Sequence, residues 1–181
     1  MAALPFFISM NKKNIYLIGY MGTGKSTLGK TIAKKIDGMV LREMDEMIVE
    51  REGRSISDIF ATDGEEYFRR VETDLLREIA KGDNQVISCG GGVPLREENI
   101  DIMKESGIVV WLTASAYHIY QRVKNDTARP LLKDKMTQEY ISQMMDAREP
   151  FYSKAADYRI ETGRNTRSGV ISEMMKIIDK L

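Results

Sequence analysis

The sequence is poor in two residues that often carry chemistry, since its 181 residues include one cysteine, Cys89, and one histidine, His118. A single cysteine excludes an intramolecular disulfide framework. Such a chain fits a reducing compartment, so we expect a cytoplasmic protein. A single histidine argues against a histidine-based metal site and against a Ser-His-Asp catalytic triad.

An excess of charge of one sign is also absent, because 27 basic residues balance 27 acidic ones and the formal net charge is zero. Non-specific nucleic-acid binders usually carry a basic excess, so we expect no nucleic-acid partner. No run reaches the ~18 apolar residues that a membrane-spanning helix needs, so we expect no membrane association. Residues 1–10 are apolar but lack a basic segment, which argues against a signal peptide. We interpret residues 1–13 as a flexible extension.

Short apolar segments alternate with amphipathic helical patterns along the rest of the chain. Strands are predicted at residues 14–19, 39–42, 85–89, 108–112 and 158–161. Helices are predicted at 25–36, 45–52, 63–79, 94–106, 115–123, 137–152 and 168–181, and another begins at Ser55. Strands separated by helical crossovers favour a parallel sheet. The pattern therefore predicts an α/β fold with helices on both faces of the sheet, in a single domain over residues 14–181.

A phosphate-binding motif follows the first predicted strand. Residues 19–27, Gly-Tyr-Met-Gly-Thr-Gly-Lys-Ser-Thr, match the P-loop pattern G-x-x-x-x-G-K-[ST]. Its glycines let backbone N–H groups turn toward phosphate oxygens, and the next helix adds its positive N-terminal end. Lys25 can reach the β- and γ-phosphates, and the Ser26 hydroxyl can ligate Mg²⁺. The predicted ATP-binding residues of the loop are Gly22, Thr23, Gly24, Lys25, Ser26 and Thr27.

The class of P-loop protein is narrowed by what accompanies the motif. A GTPase would carry an Asn-Lys-x-Asp element, yet the only Asn-Lys pair, Asn11-Lys12, precedes the P-loop. Motor and AAA-type ATPases need a longer chain. The charged segment 124–135 predicts a lid, which a small-metabolite kinase needs to keep water away from the transferred phosphoryl group. These features favour a small-molecule kinase.

Further segments follow the P-loop in order: Glu43-Met-Asp45, Gly53–Phe60, Phe68-Arg69-Arg70 with Glu72, Gly90-Gly91-Gly92, Arg129–Leu132 and Arg148–Tyr152. In this combination the chain closely resembles the shikimate kinase family, in the nucleoside-monophosphate-kinase-like group of P-loop folds. The resemblance spans about residues 14 to 180. It implies a monomer that uses ATP to phosphorylate the 3-hydroxyl of shikimate in aromatic amino-acid biosynthesis.

The same resemblance implies a three-layer sandwich around a five-stranded parallel sheet of order 2-3-1-4-5. The substrate-binding helical part would span about residues 45–81 and the lid about 124–135. Among the substrate-binding residues, Arg69 and Arg148 would clamp the carboxylate of shikimate, since guanidinium forks suit carboxylates. Asp45 would accept hydrogen bonds from the substrate hydroxyls and orient or deprotonate the attacking oxygen. The backbone of Gly90, Gly91 and Gly92 would approach the substrate closely.

On the nucleotide side, the resemblance implies that Arg129 closes over the phosphates and acts in catalysis with Lys25 and Asp45. Arg122 and Arg164 would flank the adenine. One departure concerns the metal, because Glu43 stands where the family usually has an aspartate associated with the water shell of Mg²⁺. We therefore assign Ser26 alone as the metal ligand.

Two other functions fit parts of the pattern. A related kinase, such as one for gluconate, would share the P-loop, but the pair Arg69 and Arg148 with the triple glycine favours a carboxylated ring. A P-loop binding or regulatory module without catalysis would need neither the lid arginine, Arg129, nor the acid, Asp45. Trp111 lies in a predicted central strand and is expected to belong to the core.

Overall fold

The computed structural model describes residues 14–124 and 137–180. The predicted extension, residues 1–13, lies outside the described residues, as do residues 125–135 of the predicted lid with Arg129. Nothing in the described part divides it into separate domains: one sheet runs through it, with helices packed on both of its faces.

Five parallel strands form the sheet: β1 (Asn14–Ile18), β2 (Val40–Glu43), β3 (Gln85–Ser88), β4 (Gly107–Thr113) and β5 (Tyr158–Glu161). Their order is β2-β3-β1-β4-β5, as predicted. β1 is central and fully buried because its residues NIYLI pack on both faces of the sheet. A parallel sheet covered on both sides explains why its inner strands are almost entirely apolar.

Helices occupy the crossovers: α1 (Lys25–Lys35), α2 (Met44–Glu52), α3 (Ile56–Thr62), α4 (Gly64–Ile79), α5 (Glu97–Ser106), α6 (Ala116–Val123), α7 (Gln138–Ala155) and α8 (Arg167–Ile178). The predicted helix at 94–106 begins late, because Val93–Leu95 form a 3₁₀ turn and Arg96 is extended. α7 runs past its predicted end through Pro150, and its last turn is held by the buried Tyr152 and Ala155.

The side chains of β1 alternate between two cores. Ile15 and Leu17 pack against α1 and α8, whereas Tyr16 and Ile18 pack against α3, α4, α5 and α7. This alternation confirms the predicted three layers, since successive strand residues point to opposite faces. Trp111 lies in the second core with 8% of its surface exposed, as expected.

The candidate site residues follow the carboxyl ends of the strands. The P-loop follows β1, Asp45 lies just after β2, and Gly90 lies just after β3. Parallel strands end at the same edge of a sheet, so the fold brings these segments together there. Across residues 14–124 and 137–180, no helix combines the length and apolar character needed to cross a bilayer.

Candidate active site

The P-loop connects β1 to α1 through glycines in left-handed conformations. Gly22 has a φ of 74°, and Gly24, the N-cap of α1, has a φ of 97°. Residues with a Cβ rarely adopt these angles, so the local sequence is what permits the curl. Lys25 crosses the loop, and its Nζ donates hydrogen bonds to the carbonyl oxygens of Gly19 at 2.8 Å and Tyr20 at 3.2 Å. The ammonium group is thus held against the loop that it would serve.

Oxygen ligands suited to Mg²⁺ meet beside the loop. Ser26 Oγ donates to Glu43 Oε2 at 2.9 Å and lies 3.4 Å from Ser88 Oγ. Glu43 Oε1 is buried with no hydrogen-bond partner among the described residues, and the nearest cation, Lys30 Nζ, is 4.0 Å away. Buried carboxylate oxygens of this kind need a cation or a donor. The residues present therefore fit Mg²⁺, which takes few protein ligands and keeps waters and phosphate oxygens.

The P-loop and Asp45 line the same cavity. This cavity has a volume of about 300 Å³ and is lined by Met21, Gly22, Gly24, Lys25, Ser26, Thr27, Glu43, Asp45, Glu46, Ser88 and Cys89. Asp45 lies in the first turn of α2, and Glu43 occupies the N-cap position without a capping side-chain bond. A phosphate held by the loop and a hydroxyl held by Asp45 would therefore share one space.

The triple glycine brings the predicted substrate residues together. A Cβ at Gly90 would lie 2.9 Å from Asp45 Oδ1, and one at Gly91 would lie 3.4 Å from Arg148 Nη1. At Gly92 a Cβ would overlap the guanidinium of Arg69. Three side chains from α2, α4 and α7 thus surround a single backbone segment, and glycine is required there for close approach rather than for turning.

The Arg69 side chain is held by two acids on its own helix. Its Nη1 donates to Glu72 Oε2 at 2.5 Å and its Nη2 to Glu65 Oε1 at 2.9 Å. Burial alone would lower the pKa of Arg69, but the charges and hydrogen bonds of the two acids outweigh it and raise that pKa. The guanidinium is therefore charged and oriented, which a carboxylate clamp needs.

Sequence reasoning did not assign a role to Glu72. Its side chain is 1% exposed, and burial raises its pKa because the charge of Arg69 offsets the desolvation only in part. The i,i+3 spacing from Arg69 on one helix is the signal that could have identified it.

Arg148 lies on α7 next to the same segment. Its guanidinium is 5.4 Å from the ring centroid of Tyr20, a P-loop residue. One turn later, the hydroxyl of Tyr152 donates to the carbonyl oxygen of Gly91 at 2.7 Å. Burial raises the pKa of Tyr152, which keeps it a donor. Tyr152 was not predicted as a site residue, although its i,i+4 spacing from Arg148 places both on one helix face.

A second cavity of about 410 Å³ adjoins the other side of the P-loop. It is lined by Gly22, Thr23, Gly24, Thr27, Leu28, Thr31, Arg122, Thr162, Asn165, Arg167, Val170 and Ile171. Apolar walls beside polar groups suit a nucleotide base. Arg122 lines this cavity as predicted. Arg164 lies in the following turn, where its backbone N–H donates to Glu161, and its side chain is not among the lining groups.

Known proteins share this sequence and fold. The family model for shikimate kinase matches residues 21–179. A shikimate kinase from a Sulfurihydrogenibium species is 40% identical over 168 residues, which cover 93% of this chain and 99% of that protein.

Solved structures agree. The shikimate kinase of Bacteroides thetaiotaomicron superposes with a TM-score of 0.82 at 32% identity, covering 91% of this chain and 96% of the other. That of Acinetobacter baumannii in complex with shikimate gives 0.82 at 31% identity, covering 94% and 93%. With the P-loop, the acid and the paired arginines gathered at one sheet edge, these matches show that the chain belongs to the shikimate kinase family.

Proposed function

We propose that the 300 Å³ cavity is where the γ-phosphoryl group of ATP passes to the 3-hydroxyl of shikimate. The observation that carries this proposal is that Lys25, Ser26 and Asp45 line one cavity. The polyphosphate would lie on residues 22–27, and the base would occupy the 410 Å³ cavity on the other side of Gly24. The acceptor oxygen and the terminal phosphorus would then meet between the loop and Asp45.

Shikimate would lie against the triple glycine. Its carboxylate would pair with Arg69 and Arg148, whose planar forks bind carboxylates through two parallel hydrogen bonds. Asp45 would accept hydrogen bonds from the ring hydroxyls at the opposite end. This arrangement presents one hydroxyl to the P-loop and keeps the ring from rotating.

Phosphoryl transfer would proceed in line. The 3-hydroxyl oxygen bonds to the γ-phosphorus, the bond from that phosphorus to the β–γ bridging oxygen breaks, and ADP leaves. Asp45 would take the hydroxyl proton. Lys25 would stabilise the negative charge that develops on the phosphate oxygens, and Arg129 of the predicted lid would add a second cation there.

Ser26 and Glu43 would hold Mg²⁺ at the edge of the loop. The ion would neutralise phosphate charge and fix the phosphate geometry when bound. Glu43 is one methylene longer than the usual aspartate, and its Oε2 already reaches Ser26. We therefore extend the metal assignment from Ser26 to both residues, and further propose that the enzyme acts as a cytoplasmic monomer.

The direct test is an assay that couples ADP release to a colour change. With Mg-ATP and purified protein, we expect turnover that depends on shikimate, with gluconate in its place as the matched control. Turnover with gluconate alone would favour the related kinase. Tight ATP binding without transfer to either compound would instead favour a regulatory module.

A further inference from the structure

The P-loop is also held from the side that faces away from its own helix. Thr162 comes directly after β5, and it is 8% exposed. Its Oγ1 lies 2.8 Å from the carbonyl oxygen of Thr23, although 139 residues separate the two in sequence. The same Oγ1 lies 3.1 Å from the carbonyl oxygen of Thr113.

The hydroxyl of Thr162 has one proton to donate. The carbonyl of Thr113 already accepts the backbone N–H of Thr162 at 2.7 Å. The shorter contact, to Thr23, is therefore the one that the hydroxyl proton makes. Without it the Thr23 carbonyl would lose its side-chain donor, and an unpaired buried carbonyl is costly.

A trans peptide couples this bond to the phosphate side of the loop. The carbonyl of Thr23 and the N–H of Gly24 belong to one planar peptide and point in opposite directions. Fixing the carbonyl toward Thr162 turns the Gly24 N–H away from β5. Nothing else packs there, because a Cβ at Gly24 would meet no atom within 4 Å. Since glycine is also the most flexible residue, the hydrogen bond is the main restraint on this peptide.

Arg122 supports the neighbouring peptide in the same way. Its Nη1 donates to the carbonyl oxygen of Gly22 at 2.9 Å, and its Nη2 donates to the carbonyl oxygen of Thr162 at 2.7 Å. Two successive carbonyls of the loop are thus held by groups from α6 and the end of β5.

We infer that Thr162 is a positioning residue that sets the direction of the Gly24 N–H, and thereby the affinity of the P-loop for the phosphates of ATP. This inference rests on the proposed binding of ATP at residues 22–27. It concerns binding alone, so it is tested by titrating Mg-ATP without shikimate. If the parent protein binds Mg-ATP but does not phosphorylate shikimate, the proposed function fails while the inference about Thr162 stands or falls by itself.

The test compares Thr162→Val, Thr162→Ser and Thr113→Val by calorimetric titration. Valine keeps the shape of threonine and removes the hydroxyl, so Thr162→Val should weaken Mg-ATP binding about tenfold. Serine keeps the donor and should bind within about twofold of the parent protein. Thr113→Val is the matched control because its buried hydroxyl lies 3.5 Å from the carbonyl of Ile160 and makes no described contact with the loop.

A purely structural role would give a different pattern. It would lower the melting temperature of both valine variants and change their Mg-ATP affinities alike, whereas we expect only Thr162→Val to lose affinity, with its KM for shikimate unchanged. Parent-like ATP binding by Thr162→Val, or an equal loss in Thr113→Val, would overturn the inference. If Thr162→Val fails to fold, Thr162→Ser and Thr162→Cys replace it, since the thiol is a weak donor of similar shape. Equal binding by those two variants would also overturn it.

Discussion

The guanidinium of Arg148 lies over the ring of Tyr20, 5.4 Å from its centroid. Tyr20 belongs to the P-loop, and Arg148 lies on α7 beside the triple glycine. Cation–π contacts of this kind contribute about 0.5–1 kcal/mol when they are not fully desolvated. The pair therefore links the phosphate loop to the proposed carboxylate clamp.

Replacing the aromatic ring tests this link. Tyr20→Leu should raise the KM for shikimate about two- to fivefold, because Arg148 loses the ring that orients it. Tyr20→Phe keeps the ring and is the matched control, which we expect to retain the parental KM. Steady-state kinetics at saturating ATP measures both. Equal KM values in the two variants would show that the ring does not orient the clamp.

Removing the P-loop ammonium should abolish most turnover. Lys25→Met should lower kcat about 10²- to 10³-fold, because a preorganised cation no longer meets the charge developing on the phosphate. Lys34→Met, at an exposed position on the same helix, serves as the control and should retain activity. Circular dichroism should show both variants folded. A Lys25→Met variant with nearly full kcat would contradict the assigned role.

Asp45→Asn should separate chemistry from nucleotide binding. The amide keeps the shape of the carboxylate but is a poor proton acceptor, so shikimate turnover should fall about 10²-fold or more. Mg-ATP affinity should stay within about twofold, since the predicted phosphate ligands are on the P-loop. Asp74→Asn, on the surface of α4, controls for loss of charge. If Asp45→Asn weakened ATP binding and left shikimate kinetics intact, the two substrates would have been assigned to the wrong parts of the site.

Adding a methyl group at Gly92 should displace Arg69. A Cβ there would overlap the guanidinium, so Gly92→Ala should raise the KM for shikimate about tenfold or more through loss of a charge-assisted pair. Gly38→Ala is the control, because Gly38 has a φ of 78° and open space around its Cα. That substitution costs about 1 kcal/mol in strain without touching the site. A comparable rise in KM in both variants would indicate general destabilisation instead.

The buried carboxyl of Glu72 should make stability depend on pH. Its pKa is raised in the folded protein above the ordinary value of 4.5. The folded state therefore holds the proton more tightly, and the stability that this contributes is present below pH 4.5 and is lost as the pH rises through the folded pKa.

Glu72→Gln keeps a neutral side chain at every pH and removes this loss. The free energy of unfolding of the variant minus that of the parent should therefore increase as the pH rises from below 4.5 toward neutrality. Urea denaturation at several pH values measures the difference. A difference that stays constant or decreases would mean that the folded pKa of Glu72 is not raised.

Local patterns predicted much of the fold because each depends on neighbouring residues. The apolar run at β1 and the helical spacing of α1 are properties of contiguous segments, and both elements lie where they were expected. The start of α5 was wrong by three residues, since Pro94 favours a helical turn but the extended Arg96 separates that turn from the helix. Interruptions of this kind depend on packing as well as on propensity.

The sequence by itself determined the phosphate loop, because residues 19–27 carry both the glycines that curl the backbone and the groups that bind phosphate. It also determined the layered α/β architecture through the periods of its apolar residues. Only the tertiary structure decided which side chains surround the triple glycine, that Glu72 and Tyr152 support them, and that Thr162 holds Thr23 from 139 residues away. The physical reason is that spacing along the chain fixes local backbone geometry, whereas contacts between distant segments depend on how whole strands and helices pack.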